Sequence, residues 1–202
     1  MASALSSSTT LLGWFRSRSG AAGAASTIVT ILLGTLFLTL CAKISVPVWP
    51  VPVTLQGFAV AAISSAFGLR IGVATVAAYL LEGALGLPVF ATGGGLAYFA
   101  GPTGGFLVGF LIMAAIIGEA ADRGASRRPL VLFAAMLAGD AALLLFGFVW
   151  LLALSGSAGW IDQSDPVGSA FAGAIQPFIV WDMLKMALAA LTVAGAFRLA
   201  TR

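Results

Sequence analysis

Long apolar runs, interrupted by glycine, proline or charge, follow one another from residue 27 to the end of the chain. Most approach the length of a helix that crosses a bilayer, which needs roughly 20 residues. They predict six membrane-spanning helices, near 27–42, 54–68, 70–86, 105–121, 130–153 and 177–197. The expected fold is an all-α membrane protein, with residues 1–26 as a basic cytoplasmic tail and residues 27–202 as a single six-helix membrane domain.

Composition excludes a soluble fold and several kinds of chemistry. Of the 202 residues, 60% are hydrophobic and 8% are charged, against about 25% charged in ordinary soluble domains. The chain has no histidine, a single cysteine and no P-loop sequence, which excludes zinc sites, histidine-based triads and ATP binding of the P-loop kind. We therefore expect no catalytic residue, no metal and no cofactor, so any ATP energy must come from a partner.

Arginines indicate the orientation of the predicted helices. With the N-terminus in the cytoplasm, every arginine lies at a cytoplasmic end of a span: Arg16, Arg18, Arg70, Arg123, Arg127, Arg128, Arg198 and Arg202. The positive-inside rule then places both termini in the cytoplasm. Because these cations are dispersed among membrane loops, the net charge of +3 predicts no nucleic-acid partner. The Ser- and Ala-rich start is also compatible with a transit peptide, although a cytosolic tail explains it equally well.

The external segment between the third and fourth spans, residues 87–104, is rich in glycine and yet apolar. Its glycines and prolines prevent a continuous helix, while Leu96, Phe99 and other large side chains are too apolar to stay in water. Irregular backbone at membrane depth is tolerated where protein buries it or where it lines a cavity. We expect a re-entrant loop that acts as a lid over a polar ligand; a passive packing loop is the alternative. The candidate ligand and lid residues in this segment are Phe90, Thr92, Gly94, Tyr98, Pro102 and Gly104.

The first external segment, residues 43–53, has three prolines within six residues and is expected to be extended and stiff. Trp49 could line an apolar pocket or belong to the interfacial aromatic belt. Gln56, just inside the second span, carries two donors and an acceptor that need partners in lipid. The sequence assigns no role to Lys43.

Two charged residues of the sixth span, Asp182 and Lys185, are spaced i, i+3 and so share one face of the helix. Ionisable residues inside a membrane are costly and are functional candidates by default. The pair suits a small ligand whose carboxylate binds Lys185 and whose N–H groups donate to Asp182. A structural ion pair that locks the sixth helix is the alternative.

Two further acids lie near this pair in the predicted topology. Asp140, in the middle of the fifth span, could be a polar staple between helices or a group behind the ligand site. Glu82, near the outer end of the third span, could anchor the lid, cap its backbone or reach water. The sequence does not separate these alternatives.

Four motifs in the same order resemble the BioY family, the biotin-binding S components of energy-coupling factor transporters. They are Val51-Pro-Val-Thr-Leu-Gln56, Tyr79-Leu-Leu-Glu-Gly-Ala-Leu-Gly-Leu-Pro-Val-Phe90, Gly101-Pro-Thr-Gly-Gly-Phe106, and Pro177-Phe178 leading to Asp182-Met-Leu-Lys185. The resemblance implies a six-helix substrate-binding protein with its site near the outer surface. It implies that the ligand is biotin, whose valerate carboxylate would bind Lys185 and whose ureido N–H groups would donate to Asp182. The rings of Trp49, Phe90 and Tyr98 would cover the hydrocarbon parts of the ligand. Trp181 departs from the family pattern, which often has a small residue before the aspartate.

The same resemblance implies the protein's role and partners. The expected function is high-affinity biotin binding and uptake in the bilayer of a bacterial inner membrane, with a coupling membrane subunit and cytosolic ATPases. Some members of the family are thought to work with fewer partners as oligomers, so a homo-oligomer is also compatible. The alternatives are an S component for another carboxylated vitamin, a structural membrane subunit, and a proton-coupled carrier or intramembrane enzyme that uses Asp140, Asp182 and Lys185.

Overall fold

The fold is a bundle of long apolar helices, seen in a computed structural model that describes residues 21–156 and 161–200. Its helices are α1 (Ala21–Lys43), α2 (Gln56–Ala84), α3 (Leu96–Ala100), α4 (Gly104–Asp122), α5 (Pro129–Leu154), α6 (Pro166–Ala174) and α7 (Ile179–Ala200). Strands β1 (Ser45–Val46) and β2 (Val53–Thr54) pair antiparallel, and a 3-10 turn spans Ala125–Arg127. By length and composition, five helical stretches of the described chain could cross a membrane: Gly23–Lys43, Gln56–Ala84, Gly104–Asp122, Pro129–Leu154 and Pro166–Leu199.

Helix α2 reverses direction at Gly68, where the backbone leaves the helical region at φ 83° and ψ −177°. In a straight helix, Gln56 and Tyr79 would lie roughly 35 Å apart. Instead, Gln56 Nε2 donates to the Tyr79 hydroxyl at 2.9 Å. Residues 56–67 and 69–84 therefore form an antiparallel helical hairpin, which accounts for two separate predicted spans at 54–68 and 70–86.

Gly68→Ala is expected to destabilise the protein by about 2 kcal/mol, because only glycine adopts this backbone conformation readily. A Cβ at this position would also overlap the Asp122 carboxylate, whose Oδ2 accepts the backbone N–H of Leu69 at 3.0 Å. Thermal unfolding of detergent-purified protein measures the effect. The matched control is Gly195→Ala in α7, where a Cβ meets nothing within 4 Å, so equal losses in both variants would contradict this role of Gly68.

Glycines bring α4 close to its neighbours, as small residues do between membrane helices. A Cβ on Gly109 would lie 3.0 Å from Leu143 Cα of α5, and a Cβ on Gly118 would lie 2.5 Å from Leu69 Cα of α2. The spacing of Gly101, Gly105 and Gly109 predicts such contacts, and Gly105 also faces α5.

The described arginines lie at one end of the bundle, which we call the arginine end. They are Arg70, Arg123, Arg127, Arg128 and Arg198; Arg16, Arg18 and Arg202 lie outside the described residues. The hairpin turn of α2 is bound there by Asp122 and by the Ser126 hydroxyl, which donates to Ser65 O at 2.7 Å. The opposite end, the loop end, carries the β1–β2 pair, residues 85–103 and the start of α7.

The loop end contains two helices that the sequence analysis does not predict, the short α3 in the glycine-rich segment and α6. Helix α6 follows Asp165, whose Oδ1 accepts the backbone N–H of Gly168 at 2.9 Å, and it begins with Pro166. An aspartate followed by proline at the first helical position is a helix-start signal. The sequence analysis assigns no element between the spans predicted at 130–153 and 177–197, because this start signal lies in a short, polar stretch.

Candidate functional site

A cavity at the loop end contains the predicted charge pair. Its free volume is about 40 Å³. The cavity is therefore narrow, and a ligand larger than a few waters requires its walls to move. Its lining comprises Val51, Pro52, Thr54, Gln56, Gly57, Phe90, Ala91, Tyr98, Thr103, Phe106, Leu107, Phe110, Leu143, Leu144, Phe178, Asp182 and Lys185.

Asp182 and Lys185 form an ion pair on the cavity-facing side of α7. Asp182 is 3% exposed and the Lys185 side chain is 12% exposed, so the pair is shielded from water. The Lys185 ammonium contacts the Asp182 carboxylate and donates to Thr54 O at 2.9 Å. Because an ammonium has three N–H groups, one donor is left for a ligand.

A series of hydrogen bonds connects this pair to the glycine-rich segment. Thr54 Oγ1 donates to Gln56 Oε1 at 2.8 Å, and Gln56 Nε2 donates to the Tyr79 hydroxyl at 2.9 Å. The Tyr79 hydroxyl in turn donates to Val89 O at 2.9 Å. With the Lys185–Thr54 bond, these contacts link the charged site to residue 89 through groups that are fully or partly buried.

Aromatic rings hold the glycine-rich segment against the bundle. Phe90 is 1% exposed, and its ring centre lies 5.4 Å from that of Tyr79, 4.8 Å from that of Tyr98 and 5.6 Å from that of Phe99. Gly83 leaves the space that the Phe90 ring occupies. Lys43 supplies a polar contact as well, since its Nζ donates to Phe90 O at 2.5 Å.

The structure brings five of the predicted ligand residues to the cavity: Asp182, Lys185, Gln56, Phe90 and Tyr98. It does not bring Trp49, Thr92 or Gly94 to the cavity lining. Trp49 is 74% exposed on the β1–β2 connection. The Thr92 hydroxyl contacts the Tyr98 hydroxyl at 3.3 Å, and Gly94 packs against the Leu87 carbonyl. Leu96 also stays outside, at 74% exposed.

The residues predicted around the site occupy distinct positions. Asp140, on α5, is 6% exposed and is close enough to Asp182 and Lys185 to interact with them electrostatically. Glu82 is half-buried, and its backbone carbonyl accepts the N–H of Leu87 at 3.1 Å. Pro102 lies in the turn before α4, and Gly104 starts that helix against Phe99 O and Trp150.

Most cavity residues that the sequence analysis missed are apolar. Phe106, Phe110, Leu143 and Phe178 have no feature that separates a cavity wall from an ordinary helix contact. Gly57 also lines the cavity, and a Cβ there would lie 3.8 Å from Lys185 Nζ, at ordinary contact distance.

Trp181 faces a different space. With Ile44, Val46, Leu55 and others it lines a separate groove, which also touches Thr54 and Lys185 from their outer side. The departure from the family pattern at this position therefore alters the surface behind Lys185 and leaves the cavity lining unchanged.

Fold and cavity together define a multi-helix membrane protein with a narrow cavity that contains a buried charge pair. Sequence comparison assigns the particular family: the chain belongs to the BioY family, whose profile matches residues 10–202.

Two curated relatives and one solved structure illustrate the likeness. The biotin transporter BioY of Thermotoga maritima is 37% identical over 78% of this chain and 87% of its own length. The biotin transporter BioY of Rhizobium etli is 34% identical over 81% of this chain and 88% of its own. A crystal structure of the S-component for biotin from an ECF-type ABC transporter matches with a TM-score of 0.74 and 22% identity, covering 92% and 96% of the two chains. At that identity the structural match establishes the fold.

Proposed function

We propose that this protein binds biotin with high affinity and mediates its uptake as the S component of an ECF-type transporter. The observation that carries the proposal is a buried cation–anion pair in a narrow, largely apolar cavity of a BioY-family chain. Relatives that align over most of this chain are named biotin transporters. The family assignment favours transport over enzymatic activity.

Biotin has chemistry that matches the two ends of this pair. Its ureido N–H groups would donate to Asp182 and its valerate carboxylate would accept from the Lys185 ammonium. Because the ring and four methylenes separate these two ends of biotin, the Lys185 side chain would move away from Asp182 when the ligand binds. Phe90 and Tyr98 would cover the thiophane ring and the valerate methylenes, and Gln56 would hold the Thr54–Tyr79 contacts in place. Because the free volume of the cavity is small, we expect the glycine-rich segment to move when the ligand enters.

We infer the membrane arrangement from the same features. Each half of the α2 hairpin would cross all or most of the bilayer, which gives six spans. Both termini and the arginine end would then lie on the cytoplasmic side. Residues 87–104 would then form a re-entrant external lid in a bacterial inner membrane. Transport would use a coupling membrane subunit and cytosolic ATPases, because the chain has no P-loop sequence of its own.

Calorimetric titration of detergent-purified protein with biotin tests the proposal. We expect tight binding of one biotin per chain, and no competition from riboflavin or thiamine, which have no carboxylate for Lys185. Tight binding of another carboxylated vitamin, with no binding of biotin, would overturn the assignment of biotin as the substrate. No binding of either class would overturn the function.

Tyr79→Phe tests the link between the pair and the lid. The variant keeps the ring but loses the donor to Val89 O and the acceptor of Gln56. Two hydrogen bonds of about 1 kcal/mol each predict roughly thirtyfold faster dissociation of biotin. Stopped-flow or tracer-release measurements give this rate.

The control is Thr192→Val, which removes a lipid-side hydroxyl bonded within α7 to Leu188 O. Its dissociation rate should equal that of the wild type. If Tyr79→Phe also releases biotin at the wild-type rate, the hydrogen-bond series does not hold the lid.

A further inference from the structure

A groove at the arginine end shares no lining residue with the cavity that contains the charge pair. It lies where α4 ends and α5 begins, and its free volume is about 450 Å³, which is in the range of sites for small molecules. Its lining comprises Ala120, Arg123, Gly124, Ala125, Arg127, Arg128 and Val131. The three arginines fall within six positions of the chain, so the groove is strongly basic.

The turn that carries these arginines is anchored to the bundle. Gly124 has a φ of 90°, and its carbonyl accepts the backbone N–H of Arg127 at 3.3 Å. Ser126 is fully buried, and its hydroxyl donates to Ser65 O at 2.7 Å. The side chains of Arg127 and Arg128, by contrast, are exposed. The fold therefore fixes the backbone from which these guanidinium groups reach the groove.

The arginine end has few acids to balance this charge. Its described ionisable residues are five arginines and two acids, Glu119 and Asp122, so their net charge is +3. Glu119 pairs with Arg123 at 2.8 Å in an exposed position, where such a pair contributes little energy. Asp122 accepts the N–H of Leu69. Within the described chain, no carboxylate lies at ion-pair distance from Arg128. An anion in the groove would supply the missing negative charge.

Apolar side chains lie directly beside the arginines. Val131 lines the groove and is 49% exposed, and the adjacent Leu130 is 82% exposed. Both belong to the first turn of α5, a helix long and apolar enough to cross a membrane. A soluble anion or an acidic protein surface would leave these side chains uncovered, whereas the acyl chains of a lipid would cover them. The combination of charge and apolar surface therefore favours a lipid.

We propose that this groove binds the headgroup of an anionic phospholipid from the leaflet at the arginine end. The phosphate would accept N–H groups from Arg123, Arg127 and Arg128, because planar guanidinium groups bind phosphate oxygens through paired hydrogen bonds. The acyl chains would run along Val131 and the outer surface of α5. Basic pockets between membrane helices suit such headgroups. The lipid site goes beyond the proposed function, since it does not depend on which ligand the other cavity binds.

Native mass spectrometry of the full chain, purified in an uncharged detergent, tests the site by counting bound lipids during a titration. The probes are phosphatidylglycerol and phosphatidylcholine with identical acyl chains. We expect the first phosphatidylglycerol to bind about tenfold more tightly than phosphatidylcholine, or more, and this preference to shrink as salt is added. Arg128→Gln should weaken phosphatidylglycerol binding about fivefold, and Arg123→Gln with Arg128→Gln about twenty-fivefold.

The matched control is Arg70→Gln. It removes one positive charge from the same end of the bundle, but Arg70 lies beside the hairpin turn of α2 and outside the groove. Its affinity for phosphatidylglycerol should stay within about twofold of the wild-type value. Thermal unfolding without added lipid shows whether each variant keeps its fold.

Three results would overturn the inference. Equal affinity for the two lipids would leave the arginines as a contact surface for an acidic partner protein or as orientation signals. Equal losses in Arg70→Gln and Arg128→Gln would mean that the lipid responds to the charge of the whole end and not to this groove. Displacement of phosphatidylglycerol by glycerol 3-phosphate at a similar concentration would mean that the ligand is a soluble phosphate.

Discussion

Lys185→Met is expected to weaken biotin binding about a hundredfold or more, because truncation of one partner of a buried charge pair costs about 2 to 5 kcal/mol. Methionine keeps much of the length of the side chain but removes the ammonium that contacts Asp182 and Thr54 O. Equilibrium titration with labelled biotin in detergent measures the change.

The neutral carboxamide of biotin separates the proposed role of Lys185 from a general disturbance of the cavity. If Lys185 binds the carboxylate, the carboxamide already lacks the charge–charge contact and should lose much less affinity in the variant. An equal loss for acid and amide would show that Lys185 binds another part of the ligand. Unchanged affinity for the acid would remove Lys185 from the site.

Asp182→Asn is expected to weaken binding of both the acid and the amide by tenfold to a hundredfold. A carboxylate accepts N–H groups with charge assistance worth about 1.5 to 3 kcal/mol, and an amide oxygen does not. The substitution also leaves the Lys185 ammonium without its anion in a buried position. Parallel thermal unfolding separates a loss of affinity from a loss of fold.

Biotin and its carboxamide are expected to respond differently to the two variants, and this difference tests which end of the ligand each residue binds. Asp182→Asn should affect both ligands, whereas Lys185→Met should affect mainly the acid. The reverse pattern would place the ureido ring at Lys185 and the carboxylate elsewhere. Full affinity in both variants would mean that the ion pair only holds α7 in place.

Much of the fold can be read from the sequence, because the membrane imposes strict rules on it. Apolar runs of membrane-crossing length, and arginines confined to one side of them, predict the helices that the structure shows. Gly68 is the last residue of the span predicted at 54–68, and the hairpin of α2 turns there. Helix α6 is missing from the prediction because its start signal, Asp165-Pro166, lies in a short polar stretch.

The charge pair is also visible in the sequence, since the i, i+3 spacing of Asp182 and Lys185 requires only a helix. Their partners are not visible. The contact of Lys185 with Thr54 spans 131 positions in sequence, and the contact of Lys43 with Phe90 spans 47. Contacts of this range depend on how the helices pack, so the sequence could not show that Asp140 lies beside the pair.

Aromatic residues were the least predictable part of the site. Trp49 and Tyr98 look equally suited to cover a ligand, because an aromatic ring fits a pocket wall and a membrane interface alike. The structure buries Phe90 under Tyr98 and leaves Trp49 exposed on the β1–β2 connection. Trp181 precedes Asp182 in the chain but lines the groove behind Lys185.

The most direct measurement is a structure of the protein with biotin bound, in lipid nanodiscs or crystals. We predict ligand density inside the cavity between Phe178 and Tyr98, with the ureido ring at Asp182 and the carboxylate at Lys185. Biotin found in the groove beside Trp181, or anywhere else away from the ion pair, would contradict the assignment of this cavity as the binding site.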